Sequence, residues 1–347
     1  MSAAQFSWSP GKIPAELIEA LSACKNPLIL SHVYPDGDAL GSAVSMHRLL
    51  QGLGKAPRTV MTHPVPEKLN FIDHDGVAEF LTENPHLNPE DLVAEADLIV
   101  VVDTSAPDRL GLMEPAVSAA SIPKVCIDHH LEGAFSFFSS IWCEPDSPAT
   151  GNLILEVFNE MGVEPDTNTA ESLFVALATD TGWFRHSNAG YMAYQCAARL
   201  VKLGVEPDPV YNRIFQSFSH ERTMALGDLL NRSTLCLEGK VLYSVFTEEI
   251  RSKRGVSMED LDGFVDSLGQ VKGTEIVFLV VEVGPMRFKV SLRSRGDVSV
   301  HAIASRFGGG GHAKAAGCRI EGAEEEVISK LLEACTDLLG DPAKGRA

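Results

Sequence analysis

The fold is built on Leu28-Ile-Leu-Ser-His32-Val-Tyr-Pro35-Asp36-Gly37-Asp38-Ala-Leu-Gly41-Ser42. The apolar run 28–30 predicts a buried parallel strand, and Pro35-Asp36-Gly37 predicts a tight turn into the next helix. We therefore expect His32, Asp36 and Asp38 to lie together where the strand ends. Because crowded carboxylates resist joint ionisation, this arrangement indicates a divalent cation between them. The alternative is an Asp-rich surface turn in which His32 is a capping residue.

The same pattern, an apolar run that stops at acidic or histidine residues, occurs twice more. The run 98–102 is followed by Asp103, and the run 125–127 is followed by Asp128-His129-His130. The carboxyl ends of parallel strands open onto one crevice of a sheet. We therefore expect these side chains to face the same place as the acidic turn after the first strand.

A further carboxylate, Asp180, lies at the end of a predicted helix, where the macrodipole opposes its charge. A metal compensates such a charge; a solvated terminal Asp is the alternative. Six side chains then offer four carboxylates and two imidazoles: His32, Asp36, Asp38, Asp103, His129 and Asp180. Oxygen and imidazole ligands without thiolate favour Mn²⁺ or Mg²⁺ over structural Zn²⁺. Two such ions about 3.5–4 Å apart can bind one phosphate, activate a water and stabilise the leaving oxygen. The set predicts phosphoester hydrolysis, with Asp103 as the candidate bridging ligand.

Composition and charge limit the class of protein. A chain of 347 residues with 45% hydrophobic residues can form two domains. Seven widely spread cysteines without a C-x-x-C pair argue against a disulfide framework or a zinc ribbon. Residues 1–20 lack a signal-peptide pattern, and the longest apolar runs are too short to cross a bilayer, so we expect a cytoplasmic protein without membrane contact.

The net charge of −18 argues against a complex with a long nucleic acid, because such binding is driven by lysine and arginine. The segment 285–320 is an exception, with seven basic residues against one acidic residue, Asp297. A small anionic substrate is therefore expected near the C-terminus. Arg109, which follows Asp103 closely, can reach a phosphate or form a surface salt bridge.

The pattern of apolar residues also predicts the later part of the chain. Helices are predicted over 191–203 and 208–235. Beyond them we expect strands at 241–246, 275–283, 287–292 and 317–320, helices near 258–268, 300–307 and 324–339, and a hairpin at Gly284-Pro285.

Five motifs in order resemble those of the DHH/DHHA1 phosphoesterases. They are Ser31-His-x-x-Pro-Asp-Gly-Asp-Ala-Leu-Gly-Ser42, Val101-Val-Asp103, Asp128-His-His130, Asp180-Thr-Gly182 and Gly308-Gly-Gly-Gly-His312-x-x-Ala-Ala-Gly317. Within this family, the chain most resembles the bacterial branch of nanoRNases and pAp phosphatases, because it contains the run Lys289-Val-Ser-Leu-Arg293-Ser294. The resemblance covers nearly the whole chain. It implies an α/β fold with a parallel-sheet DHH domain (1–190), a helical connector (191–235) and a smaller mixed α/β DHHA1 domain (236–347), with the active site in the cleft between the domains.

The resemblance also implies the roles of the site residues. One Mn²⁺ is expected on His32, Asp36 and Asp103, and a second on Asp38, Asp103, His129 and Asp180; Mg²⁺ or Co²⁺ are the substitutes. The implied catalytic residues are Asp103, His130 beside the phosphate or leaving group, and Asp128, which orients a neighbouring ring. The implied substrate-binding residues are Arg293, Ser294, Gly309, Gly310, Gly311 and His312. The glycines allow close approach of exposed backbone N–H groups to an anion, although a merely flexible loop is the alternative.

The activity implied by this branch is hydrolysis of very short oligoribonucleotides to mononucleotides and of 3′-phosphoadenosine 5′-phosphate (pAp) to AMP, by in-line attack of a water between the two ions. The alternatives are a RecJ-like single-strand exonuclease, a phosphodiesterase for cyclic or linear dinucleotides, and a nucleotide-binding regulator without turnover. The sequence leaves a homodimer open.

Overall fold

A computed structural model describes residues 12–130, 133–311 and 313–340. The chain divides into two compact units, residues 1–217 (unit 1) and 218–347 (unit 2). The division falls inside the predicted connector 191–235, and the limits of the two domains and of the connector stay predictions.

Unit 1 contains a parallel sheet with the strand order β3-β2-β1-β4-β5-β6. Its strands are β1 (Pro27–Leu30), β2 (Arg58–Met61), β3 (Ala78–Phe80), β4 (Leu98–Val102), β5 (Lys124–Asp128) and β6 (Ser140–Cys143). The chain turns from one half of the sheet to the other between β1 and β4. In an open α/β sheet this switch point is where ligands bind.

Helices cover the sheet of unit 1. They are α1 (Ala15–Ala23), α2 (Gly37–Gly52), α3 (Pro89–Ala94), α4 (Glu114–Ala119), α5 (Thr150–Glu160), α6 (Thr167–Asp180), α7 (Tyr191–Lys202) and α8 (Pro207–Phe215), with 3₁₀ turns at Glu67–Ile72, Pro107–Met113 and Phe135–Phe137. Alternate strand residues enter two different cores: Ile29 and Val100 lie in one, and Leu30 and Val101 in the other. Because both of their faces are buried, the central strands β1 and β4 are continuous apolar runs.

The first helix after β1 begins as the turn chemistry predicts. Asp36 caps α2 by accepting hydrogen bonds at Oδ1 from the amides of Asp38 (3.0 Å) and Ala39 (3.1 Å). The capping residue is thus Asp36 and not His32. A side chain at Gly41 would meet the carbonyl oxygen of Ser172 at 2.4 Å, so this glycine permits the close packing of α2 on α6.

Unit 2 contains a mixed sheet with the order β11-β12-β10-β9-β8-β7. Its strands are β7 (Thr234–Cys236), β8 (Val241–Phe246), β9 (Ile276–Gly284), β10 (Arg287–Ser294), β11 (Gly310–Gly311) and β12 (Ala315–Glu321), and its helices are α9 (His220–Asn231), α10 (Glu248–Arg254), α11 (Phe264–Leu268), α12 (His301–Arg306) and α13 (Glu324–Gly340). Only β8 and β9 pair in parallel; the other pairs are antiparallel. The predicted two-domain α/β class is confirmed.

Two predicted helices are wrong in their extent. The helix predicted over 208–235 is interrupted between Phe215 and His220, and its last residues form β7, which pairs with β8. The helix predicted near 258–268 is a 3₁₀ turn followed by the short α11, because Gly263 between them has φ +79°. The predicted hairpin between β9 and β10 is confirmed. No helix in the three described ranges has the length and apolar character that a bilayer crossing requires.

Candidate metal centre

The predicted ligands of unit 1 meet around the switch point of its sheet. His32 follows β1, Asp103 follows β4, and His129 follows β5. The donor atoms form three overlapping groups in which all atoms lie within 4.8 Å of one another: His32 with Asp36 and Asp103, Asp38 with His129 and Asp180, and Asp103 with His129 and His130. All six expected ligands therefore belong to one cluster.

Asp103 lies at the centre of this cluster. Its residue is only 2% exposed, and its Oδ1 accepts a hydrogen bond from Thr150 Oγ1 at 2.9 Å. Its backbone has φ +62°, a left-handed conformation that Asp tolerates better than most residues. Since strained backbone concentrates at functional sites, this conformation fits a residue whose two oxygens serve two neighbouring groups.

The first donor group is oriented by a backbone carbonyl. His32 Nδ1 lies 2.9 Å from the carbonyl oxygen of Val33, and because a carbonyl only accepts, Nδ1 carries the proton. Nε2 then faces Asp103, whose Oδ2 lies 3.3 Å away. The arrangement leaves an imidazole nitrogen and a carboxylate oxygen on the same side, as a shared cation requires.

The second donor group surrounds His129. Its Nδ1 donates to the carbonyl of Ser147 (3.1 Å), and its Nε2 lies 3.8 Å from Asp38 Oδ2, 3.7 Å from Asp103 Oδ1 and 3.8 Å from Asp180 Oδ2. These separations are too long for hydrogen bonds. One nitrogen and three converging oxygens at such spacing are the donor set of a divalent cation.

Asp38 is held by the start of α5. Its Oδ2 accepts from the amide of Thr150 (2.7 Å), and its Oδ1 accepts from the amide of Gly151 (2.8 Å) and from Ser42 Oγ (3.0 Å). A helix N-terminus favours a carboxylate in this position. The sequence does not single out Thr150 or Gly151, because both residues contact Asp38 through backbone amides, which leave no side-chain signal in a sequence.

His130 and Asp128 form a separate pair beside the cluster. Asp128 Oδ1 lies 2.7 Å from His130 Nδ1 and also accepts from the amides of His129 (2.8 Å) and His130 (3.1 Å). His130 Nδ1 lies 3.9 Å from Asp103 Oδ1. The ring that Asp128 contacts is therefore that of His130.

The electrostatics of the cluster fit cations. Burial, together with the charges of Asp103 and Asp180, raises the pKa of Asp38 well above its usual range. Burial and the charges of Asp103 and Asp36 raise the pKa of Asp180 to about 7, although His129 and His130 oppose this. Without cations, these carboxylates cannot all ionise at neutral pH.

Asp103 differs from the neighbouring carboxylates because nearby histidines offset the effect of burial on its pKa. Burial favours the neutral acid, but the hydrogen bond from His32 and the charges of His32, His129 and His130 together lower the pKa of Asp103. In return, Asp103 raises the pKa of His32 against the effect of burial. The centre of the cluster thus stays an anion, as a bridging ligand must. The donor types, the spacing and the surplus of buried acid all fit two divalent ions, with Asp103 common to both.

Arg109 adds a positive charge close enough to act on the cluster. It forms no ion pair with any residue in the described ranges, yet its charge acts on the pKa of both His32 and His130. Its carbonyl oxygen accepts from the amide of Val33 at 2.7 Å, directly beside His32. The alternative of a surface salt bridge is therefore wrong for the part of the chain that the structure describes.

The predicted substrate-binding residues belong to unit 2. One of them, His312, lies outside the described residues. Arg293 donates from Nε to Asp266 Oδ1 at 2.8 Å, and Ser294 Oγ donates to the carbonyl of Val298 at 2.7 Å. The amides of Gly308 and Gly309 donate to the carbonyl oxygens of Ser305 and Ala304. Contrary to the expectation, these two amides are therefore not available to an anion. Gly310 and Gly311 form β11.

Family comparison agrees with this geometry. A model of the DHH family, N-terminal domain, matches residues 26–179, and a model of the DHHA1 domain matches residues 238–341. The chain contains a DHH domain and a DHHA1 domain. Its DHH match spans β1 to α6 and contains the expected metal ligands from His32 to His129, while Asp180 directly follows the matched segment.

Similar DHH-family proteins include hydrolases of short RNA. The chain is 28% identical to the bifunctional oligoribonuclease and PAP phosphatase NrnA of Thermus thermophilus, with 96% of this chain and 95% of that protein covered. It is 24% identical to the Bacillus subtilis protein of the same name, covering 93% and 98%. It is also 25% identical to the cyclic-di-AMP phosphodiesterase GdpP of Geobacillus thermodenitrificans, covering 85% of this chain but 45% of that protein.

Solved structures share the fold. An exopolyphosphatase-related protein from Bacteroides fragilis superposes with a TM-score of 0.88 at 25% identity, covering 93% of this chain and 95% of that one. The exonuclease RecJ bound to manganese superposes with a TM-score of 0.52 at 16% identity, covering 95% and 94%, which shows a common fold alone.

Proposed function

We propose that this DHH-family protein is a manganese-dependent phosphoesterase that hydrolyses very short oligoribonucleotides to mononucleotides and pAp to AMP. The observation that carries the proposal is the position of Asp103, whose two oxygens each face a different imidazole, His32 and His129. The relatives named for oligoribonuclease and PAP phosphatase activity cover almost the whole chain and support a phosphoric ester hydrolase of this kind.

The residues that hold the ions follow from the donor groups. His32, Asp36 and Asp103 would hold one ion, and Asp38, Asp103, His129 and Asp180 the other. Divalent ions in such a site supply Lewis-acid activation of a phosphate ester and of water. The protein supplies the rigid frame: carbonyl oxygens orient both histidine rings, and the start of α5 orients Asp38.

The remaining roles concern the substrate. His130, oriented by Asp128, is proposed to contact the phosphate or assist the leaving group. The guanidinium of Arg109, which has no ion pair within the described ranges, is proposed to bind a phosphate oxygen, since planar guanidinium donors suit phosphate. Arg293, Ser294, Gly309, Gly310, Gly311 and His312 stay the proposed substrate-binding residues of unit 2. For Arg293 this requires exchange of its ion pair with Asp266 for the substrate. The cytoplasmic location and the homodimer stay predictions.

The experiment compares four substrates with Mn²⁺ and with a chelator: an RNA dinucleotide, pAp, cyclic di-AMP and a long single-stranded DNA. Rapid manganese-dependent turnover of the first two, with little of the others, supports the proposal. Preference for the long strand indicates an exonuclease, and preference for cyclic di-AMP indicates a phosphodiesterase like GdpP. Absence of turnover on all four substrates contradicts an enzymatic role and indicates a nucleotide-binding regulator.

A further inference from the structure

Tyr34 is an exposed aromatic residue inside the metal-binding turn. It lies two residues after His32 and two before Asp36, and its residue is 72% exposed, the highest value for a large apolar side chain in the described ranges. Consecutive Cα atoms are about 3.8 Å apart, so its Cα lies within about 8 Å of those of both predicted ligands. At this position the aromatic ring adds little buried apolar surface to the core.

The backbone of Tyr34 is strained. Its φ is +53°, a left-handed conformation that disfavours residues with a Cβ. Trp183 and Phe184 share this feature, but their rings pack against Phe174, whereas Tyr34 does not enter a core. A strained residue with an exposed ring beside a catalytic turn points to a contact with a ligand.

The loop that carries Tyr34 is fixed by the neighbouring loop after β4. The amide of Val33 donates to the carbonyl of Arg109 at 2.7 Å. Gly111 has φ +59°, and a Cβ there would meet Val33 Cγ1 at 2.4 Å, so only glycine allows this approach. Thr62 Oγ1 donates to the carbonyl of Leu110 at 2.9 Å and ties the loop after β2 to the same assembly. The position of Tyr34 is therefore organised before a ligand arrives.

One face of the Tyr34 ring is already covered. The His63 ring stacks on it with centroids 4.0 Å apart and an interplanar angle of 18°. His63 Nδ1 is buried and has no hydrogen-bond partner in the described part of the chain. Because the tyrosine is 72% exposed with one face against His63, its opposite face is open to solvent.

This geometry suits a nucleobase. An aromatic ring supported on one face and open on the other is a stacking platform for a flat ring, and every base offers a π-face. Both residues follow strands β1 and β2, at the same edge of the sheet as the metal ligands and Arg109. A nucleotide whose phosphate lies among those ligands carries its base one sugar away.

We propose that the open face of Tyr34, backed by His63, stacks on the base of the nucleotide whose phosphate lies at the metal centre. The inference rests on the proposed function, because it takes a nucleotide as the substrate. Stacking without base-edge hydrogen bonds predicts tolerance of all four bases, with purines favoured by their larger overlap.

The test compares pAp with its abasic counterpart, ribose 3,5-bisphosphate, in the manganese-loaded full chain. Tyr34→Ala is expected to lower kcat/KM for pAp about 5- to 100-fold, mainly through KM, and to leave the abasic compound nearly unchanged. Tyr34→Phe keeps the ring and is expected to keep the preference for pAp. Tyr191→Ala, which removes a 60% exposed tyrosine from α7, is the matched control and is expected to change neither substrate.

Other outcomes overturn the platform. Equal losses on both substrates mean that Tyr34 only supports the metal turn, and an unchanged preference for pAp means that the base does not contact it. Tyr34→Gly separates these effects from folding, because it relieves the strained φ and is expected to melt no lower than the wild type.

Failure of the proposed function has a different signature. If the wild type turns over neither substrate, calorimetry can still test the stacking on Tyr34 by comparing the affinities for AMP and for ribose 5-phosphate. A preference for AMP that Tyr34→Ala abolishes supports it, and equal binding of the two compounds contradicts it.

Discussion

The Nε2 atom of His32 lies 3.3 Å from Oδ2 of Asp103, although the two residues follow different strands of the sheet. The contact exists because β1 and β4 are neighbours in parallel register and end at the same edge. It orients one oxygen of Asp103 and leaves the other near His129. A single buried carboxylate can therefore connect two donor groups.

Replacement of this carboxylate tests its central position. Asp103→Asn keeps the shape of the side chain but removes the charge shared by both groups. We expect manganese-dependent activity to fall by about 10³-fold or more with an unchanged circular dichroism spectrum. Asp108→Asn, at an exposed position shortly after it, is the control and should be near normal. Activity of Asp103→Asn within tenfold of the wild type contradicts a bridging role.

The raised pKa of Asp180 predicts that Asp180→Asn is more stable than the wild type when metal is absent. The folded pKa is about 7, above the unfolded value of about 3.9. The folded, metal-free protein binds this proton more tightly than the unfolded chain does. The contribution of the proton to the free energy of unfolding is therefore fully present below pH 4 and is lost as the pH rises towards 7. Asp180→Asn cannot ionise, so in chelator at pH 8 it should melt a few degrees higher than the wild type.

Manganese should reverse that order. A ligand that binds only the folded state raises stability in proportion to the logarithm of its concentration over Kd, and the wild type has the better site. We expect the wild type to gain more in Tm than Asp180→Asn as Mn²⁺ is added at pH 8. Equal gains in both proteins, or a lower Tm of the variant in chelator, would show that Asp180 is not a strained ligand.

The Asp128–His130 pair predicts an effect on turnover without an effect on metal binding. Asp128→Asn keeps the size of the side chain but weakens acceptance from His130 Nδ1 and disorients the ring. Loss of such an orienting partner typically costs about 10- to 100-fold. We expect that loss in kcat, with the number of bound manganese ions unchanged by atomic absorption. A variant that loses an ion instead would place Asp128 among the ligands.

Arg109 should act on the substrate and not on the metal. A hydrogen bond to a charged group contributes about 1.5–3 kcal/mol, which corresponds to about a 10- to 100-fold loss in kcat/KM for Arg109→Ala. Arg109→Lys should recover part of this loss, since the charge returns without the planar donors. Arg199→Ala on α7 serves as the control. Unchanged kinetics of Arg109→Ala would remove Arg109 from the site.

Local patterns in the sequence account for the positions of most of the expected ligands. Continuous apolar runs predict strands buried on both faces, and parallel pairing brings the residues that follow them to one edge. This rule places the expected ligands from His32 to His129 together, as the structure does. Asp180 is found because a carboxylate at a helix C-terminus needs compensation.

Features that depend on long-range contacts could not be predicted. The contact of the start of α5 with Asp38 and the stacking of His63 on Tyr34 each join segments with no shared pattern. The same applies to unit 2, where Asp266 pairs with Arg293. A glycine run signals conformational freedom, but only the fold decides which amides remain available.

The most direct measurement is anomalous diffraction at the manganese edge from crystals of the full chain grown with Mn²⁺. Two peaks are expected, one among His32, Asp36 and Asp103, and one among Asp38, Asp103, His129 and Asp180. A map without anomalous density at these side chains would contradict the two-ion centre and the phosphoesterase built on it.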